Sequence, residues 1–141
     1  MEQNSIHGSC LCGAVTFEVE PVFSGFKYCF CSRCRKRSGS LHAANLFTDI
    51  KHFRWLSGGD AVQSYCLPGN QYPANCFCQI CGSRVPRVSS KGVTVPAGSL
   101  DDDPHTTPEH CIYWESRAAW LPLPNTLPKL PGSSKSDSSN I

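Results

Sequence analysis

Three cysteines stand within six residues in the run Cys29-Phe30-Cys31-Ser32-Arg33-Cys34, which Arg35 and Lys36 follow at once. Thiols at this spacing can converge on one tetrahedral zinc and leave its fourth position vacant, the arrangement a metal needs for chemistry and a structural metal avoids. Two more clusters have ligand spacing. Cys10-Leu11-Cys12 is held between Gly8 and Gly13, and Cys76-Phe77-Cys78-Gln79-Ile80-Cys81 runs into Gly82. Glycine permits the positive φ that turns two sulfurs toward one ion, and C-x-x-C-G is the zinc-knuckle turn whose amides point at the sulfurs. Cys10, Cys12, Cys78 and Cys81 would supply four thiolates from two distant turns, closing a structural zinc site and clipping the two ends of a sheet together. Cys29, Cys31 and Cys34 then form either an open site or a second closed one, completed by Cys66, Cys76, Cys111 or a histidine. Because Cys76-x-Cys78-x-x-Cys81 repeats the spacing of the first run, spacing alone leaves open which triplet is the open one. Outside the ligand sets, Cys66, Cys76 and Cys111 read as small buried hydrophobes, as unpaired cysteines ordinarily are.

These turns need a scaffold. Ala14 to Glu20 alternates, with Val15, Phe17 and Val19 on one face and Thr16, Glu18 and Glu20 on the other, the period of a half-buried strand. Gly25 to Cys29 is a shorter apolar segment leading into the triplet, and Ser38-Gly39-Ser40 resets the chain after it. Leu41 to Phe47 reads as a strand, while Thr48 to Leu56 fits a short strand or a turn of helix equally well. Ser57 to Asp60 and Pro68-Gly69-Asn70 are turns around a strand at Ala61 to Leu67. Further strands are expected at Arg84 to Val88, Gly92 to Pro96 and Cys111 to Glu115, with a loop over Ala97 to Pro104.

Composition bounds the alternatives. The chain has 141 residues, 40% hydrophobic and 17% charged, enough for one core, and its 11 Gly and 11 Pro favour a turn-rich β protein over long helices. We expect one zinc-binding domain over residues 1–121 and a disordered Pro/Ser-rich tail over 122–141, which holds too little apolar surface to order itself. No apolar run reaches the ~18 residues that span a bilayer, and the N-terminal residues lack a signal-peptide pattern, so a cytoplasmic location is expected. In a reducing compartment ten cysteines point to metal rather than disulfides. A net charge of +2 is too small to argue for a nucleic-acid or anionic-membrane partner.

In order, Gly8 to Val15, Cys29 to Lys36 and Phe77 to Ser83, extended by Pro96 to Asp101 and Ser116 to Trp120, resemble the glutathione-dependent formaldehyde-activating enzyme family, also called the centromere-protein-V/GFA family. The resemblance covers roughly residues 7–121. It implies a mainly β, Mss4-like fold of packed antiparallel sheets stapled by two zinc ions. By position it gives Cys10, Cys12, Cys78 and Cys81 to the structural zinc and Cys29, Cys31 and Cys34 to the catalytic one, with Cys76 a non-ligand. The sequence departs from the family's habit of histidine at Phe30 and at Cys111, each change removing a polar group near the sheet ends.

An open zinc on three thiolates can lower the pKa of a bound thiol or polarise a carbonyl oxygen, and both suit adding a thiol to an aldehyde. The resemblance implies a carbon–sulfur lyase, S-(hydroxymethyl)glutathione synthase-like, with glutathione as co-substrate and a small thiol/aldehyde adduct as its ligand. Lys27, Arg33, Arg35, Lys36 and Arg37 form an acid-free basic cluster that would offset the anionic sulfurs or pair with glutathione's carboxylates, or else a plain solvated face. Histidine is the side chain suited to shuttling protons near neutrality, which makes His42 and His52 candidates, but a lone histidine on a strand is more often packed. The competing class is a non-catalytic zinc module that binds protein or chromatin. A nucleic-acid-binding zinc ribbon is weaker, since no aromatics interleave with the basic cluster.

Overall fold

The computed structural model describes residues 4–70, 74–121 and 126–133. Along them run β1 (Ile6–Ser9), β2 (Thr16–Val19), β3 (Gly25–Cys29), the helix α1 (Ser32–Ser38), β4 (Ala43–Thr48), β5 (Phe53–Ser57), β6 (Val62–Tyr65), β7 (Asn75–Cys78), β8 (Arg87–Ser89), β9 (Gly92–Pro96) and β10 (His110–Ile112). They form a three-stranded sheet in the order β1-β2-β5, a five-stranded sheet in the order β10-β3-β4-β9-β8, and the two-stranded pair β6-β7. The fold is therefore mainly β, as expected. Neighbouring strands are antiparallel except for β10, which runs parallel to β3.

The main core lies between the two larger sheets. From β2 and β5, Phe17, Phe53 and Trp55 meet Phe26, Leu46, Val93 and Val95 of β3, β4 and β9. The alternation read from Ala14 to Glu20 holds on its apolar side, where Val15, Phe17 and Val19 are 0% exposed. Its polar side differs: Glu18 is buried as well, because β5 covers it and supplies Arg54 as ion-pair partner. The ambiguous stretch from Thr48 to Leu56 contains both alternatives, a 3-10 turn at Ile50–His52 capped by Asp49 and then β5. The strand expected from Cys111 to Glu115 is shorter and starts a residue earlier, since Tyr113 takes a positive φ and the chain then turns through Trp114–Ser116.

In the five-stranded sheet, strand alternation separates two environments. Phe26, Tyr28, Ala44, Leu46, Val93 and Val95 face the main core, so Lys27, Cys29, Ala43 and Asn45 point to the other side. There Cys29 and Ala43 pack against Cys34 of α1. No apolar periodicity marks α1 in the sequence, because its seven residues make only about two turns. Its ends are nevertheless specified: Cys31 Sγ accepts the N–H of Cys34 at the start, and the Gly39 N–H reaches the Arg35 carbonyl at the end.

The proposed tail over 122–141 lies outside the described residues at 122–125 and 134–141; residues 126–133 are exposed. Among the described residues no helix is long and apolar enough to cross a membrane.

Candidate metal centres

The first cluster is built by two loops. The loop between β1 and β2 carries Cys10 and Cys12, and the turn after β7 carries Cys78 and Cys81. In each loop a glycine takes positive φ, Gly13 at 81° and Gly82 at 78°, and its N–H closes the turn on a cysteine carbonyl, Cys10 at 3.1 Å and Cys78 at 2.8 Å. Ser83 joins the loops, its Oγ accepting the Leu11 N–H at 3.0 Å and lying 3.3 Å from Cys81 Sγ. Contacts from Ser83, the side chain first, draw the Cys81 thiol down to about 5. All four sulfurs lie within 4.8 Å of one another. Cys10 to Cys12 is 3.6 Å and Cys12 to Cys78 is 3.9 Å, on either side of the ~3.8 Å edge of a sulfur tetrahedron drawn around zinc at ~2.3 Å. The donor set thus fits a four-coordinate metal. It would clip the three-stranded sheet to the β6-β7 pair, rather than the two ends of one sheet. Cys10, Cys78, Cys76, Val15 and Val85 bury one another beneath it.

The second cluster is held by β3 and α1. Cys29 ends the strand, Cys31 caps the helix and Cys34 lies on its buried side, and the three sulfurs are also within 4.8 Å of one another. Burial pushes the Cys29 thiol up to about 12, so an ionised sulfur there calls for a cation close by. Cys31 goes the other way: burial opposes its ionisation, but hydrogen bonds led by the Cys34 amide, 3.4 Å from the sulfur, bring it below the ordinary range. Arg37 donates from Nη2 to Cys34 Sγ at 3.1 Å. The donor set fits a metal with one protein ligand fewer than the first cluster.

The fourth ligands considered from the sequence are elsewhere. Cys111 pairs in register with Tyr28 and lies with it on the side of β3 away from Cys29. Cys66 and Cys111 are exposed, contrary to the buried role expected of them; Cys76 is buried as expected. Each exposed thiol sits beyond or at the edge of the packed strands, in the residue after β6 and on the outermost strand β10. His42, just before β4, stacks on Tyr28 at 4.1 Å, and His52, at the end of the 3-10 turn before β5, lies 3.3 Å from Glu20. Both histidines are half-buried against these partners, and neither lies on a strand.

The basic cluster divides. Arg33 and Lys36 are exposed. Lys27 lies over the Phe47 ring at 5.7 Å. Arg35 and Arg37 turn inward, and their Nε atoms are buried without a hydrogen-bond partner. Two cations missed by the sequence reading join them: Arg84 and Arg87, which feel the charges of Arg37 and Cys34. On a short strand segment their charges look like a solvated edge, and nothing local in the sequence shows that folding brings them to α1.

Phe30 and Cys111 line one cleft of about 740 Å³ with Tyr28, His42, Trp114 and Arg117. Phe30 packs edge-on against Trp114 at 5.0 Å and tilts onto His42 at 4.9 Å. Arg117 stands over the Trp114 ring at 4.8 Å.

A family model described as glutathione-dependent formaldehyde-activating enzyme matches residues 5–116. Among solved structures, the chain is similar to a Rhodobacter sphaeroides protein determined by structural genomics, with 25% identity and a TM-score of 0.59 over 75% of this chain and 98% of that one. None of the curated proteins compared with it matches.

Proposed function

Because the chain belongs to the glutathione-dependent formaldehyde-activating enzyme family, we propose that it is a zinc-dependent carbon–sulfur lyase that adds a small thiol, glutathione in the first instance, to an aldehyde such as formaldehyde. In the reverse direction it cleaves the adduct. The observation that carries this reading is the unequal pair of sulfur clusters, four at Cys10, Cys12, Cys78 and Cys81 and three at Cys29, Cys31 and Cys34. The first set is assigned to a structural zinc and the second to a catalytic one, within a functional unit of residues 1–121 acting in the reducing cytoplasm.

In the forward reaction a sulfur–carbon bond forms, the carbonyl π bond opens and the thiol's proton ends on the carbonyl oxygen, so no oxidant or reductant is consumed. Bound by the triplet, zinc would supply a Lewis acid able to lower a thiol's pKa or polarise a carbonyl oxygen. The chain's own part is to hold three sulfurs on one rigid strand–helix junction. Arg37, donating to Cys34 Sγ, withdraws negative charge from an otherwise anionic donor set. The backbone of β3 and the cap of α1 fix Cys29 and Cys31 before any substrate arrives.

Cys31→Ser tests the assignment, because serine is itself a good helix cap and preserves the start of α1. Elemental analysis should find two zincs per wild-type chain and one in the variant, with an unchanged circular dichroism spectrum. Exchange between formaldehyde and S-hydroxymethylglutathione, followed by NMR, should be accelerated by the wild type and fall to the uncatalysed rate with Cys31→Ser. A two-zinc wild type that leaves the exchange rate unchanged would remove the lyase reading and favour the non-catalytic zinc module.

A further inference from the structure

Apolar surface left open by the fold gathers toward the end of the described chain, where Tyr113, Trp114, Trp120, Leu127 and Leu130 are each between 45% and 67% exposed. Trp114 belongs to the aromatic cleft, together with Tyr28 and Phe30. That cleft opens on the side of β3 away from Cys29, outside the sulfur triplet. Its arginine is already engaged: Arg117 stands over the Trp114 ring and donates from Nη1 to the Trp114 carbonyl at 3.0 Å. Its acid is not. Glu115, exposed in the same cleft, forms no ion pair among the described residues. Further along the chain stands Leu127-Pro128-Lys129-Leu130-Pro131, two prolines three residues apart with a lysine between them. This segment is exposed along its length, and Pro128 to Leu130 belong to neither helix nor strand.

Proline fixes φ near −65° and has no N–H to donate, so prolines spaced by three favour the polyproline II helix. With three residues per turn, that helix places Pro128 and Pro131 on one face. Such a segment is ordered before it binds and docks in grooves lined by aromatic rings at little entropic cost. Tyr28, Phe30 and Trp114 supply the rings, and Glu115 supplies the charge that Lys129 requires. We infer that the aromatic cleft of one copy of this chain receives Leu127–Pro131 of a second copy. The segment's own cleft is not its seat, because Leu127 and Leu130 remain 55% and 59% exposed in the chain that carries both. Each copy has a groove and a ligand, so a two-fold exchange makes the same contact twice and covers apolar surface on both copies. Five residues on each side bury little area, and the dimer is accordingly weak and reversible. The exchange stands apart from the proposed reaction, since the cleft and the triplet lie on opposite sides of β3.

Sedimentation of the zinc-loaded full chain over a range of concentrations tests this. A reversible monomer–dimer equilibrium is expected. Leu130→Ser, at an exposed position that the fold does not need, should weaken the dimer about tenfold with zinc content unchanged. Glu115→Lys sets like charges against Lys129, and Lys129→Glu sets them against Glu115, so each alone should weaken the dimer about threefold or more. Mixing these two variants should restore association, because each cleft then meets the opposite charge on the other copy. A chain that stays monomeric throughout, a dimer indifferent to Leu130→Ser and to both charge reversals, or a mixture no stronger than its components would each overturn the exchange. Restoration in the double variant but not in the mixture would place the segment on its own cleft and would overturn the second copy as occupant.

Discussion

Asp102 shows how single side chains hold the scaffold beneath the first cluster. Its carboxylate accepts the His7 N–H at 2.7 Å and lies 3.2 Å from His7 Nδ1, while neighbouring Asp101 accepts the Ser9 hydroxyl at 2.9 Å. The loop that follows β9 is thereby tied to β1 just before Cys10. The backbone hydrogen bond from His7, with its ring second, holds the Asp102 carboxyl below its ordinary 3.8. A carboxyl depressed in the folded state stabilises the fold above its unfolded value and loses that contribution as pH falls through the folded one. Asp102→Asn should therefore lower the urea midpoint at neutral pH, and the gap from wild type should shrink as the pH falls below the carboxyl's ordinary value and close once the folded-state carboxyl is protonated. A gap that persists in acid would show that the hydrogen bond, not the charge, matters. Among single residues, the ligands were the most legible in the sequence, because a metal's demands are met by short local spacings such as Cys29-x-Cys31-x-x-Cys34. Arg84 was not legible: its meaning comes from Arg37 and Cys34, which lie about fifty residues away in the chain.

The alternating stretch Ala14 to Glu20 contains β2 and the strand expected at Gly92 to Pro96 is β9, while Gly25 to Cys29, read only as an apolar segment, forms β3. Elements shaped by capping or by tertiary covering were not legible in the sequence. α1 is specified by a cysteine cap and a terminal glycine rather than by periodicity, and the burial of Glu18 depends on β5 arriving beside β2. Packing between elements also sets the tolerance of β1. A Cβ placed on Gly8 would collide with the ring of Phe17, its register partner on β2, which is fully buried in the main core. Gly8→Ala should thus cost about 1–3 kcal/mol, the usual range for overpacking. Urea unfolding of the zinc-loaded protein should show it as a reduced midpoint with an unchanged slope; an unaltered midpoint would mean that Phe17 has room to move.

For the molecule as a whole, two sheets enclose one core while two cysteine clusters sit at different borders of it, one joining separate sheets and one joining β3 to α1. The division at residue 121 can be tested directly. A chain ending at Leu121 should retain two zincs, its thermal midpoint within a few degrees, and its formaldehyde exchange rate, whereas loss of zinc would place residues 122–141 in the functional unit. The fold class was readable because composition and strand period agree, but the parallel placement of β10 was not, since three residues, His110–Ile112, carry no directional signal. That placement has a consequence for biosynthesis. The Phe30 N–H is paired to the Ile112 carbonyl at 3.0 Å, so the border of the triplet is finished by a strand made 78 residues after Cys34. At ribosomal rates this leaves the triplet beside an unpaired strand edge for roughly 4–16 s. During that interval the nascent chain is most open to capturing the wrong metal or another polypeptide.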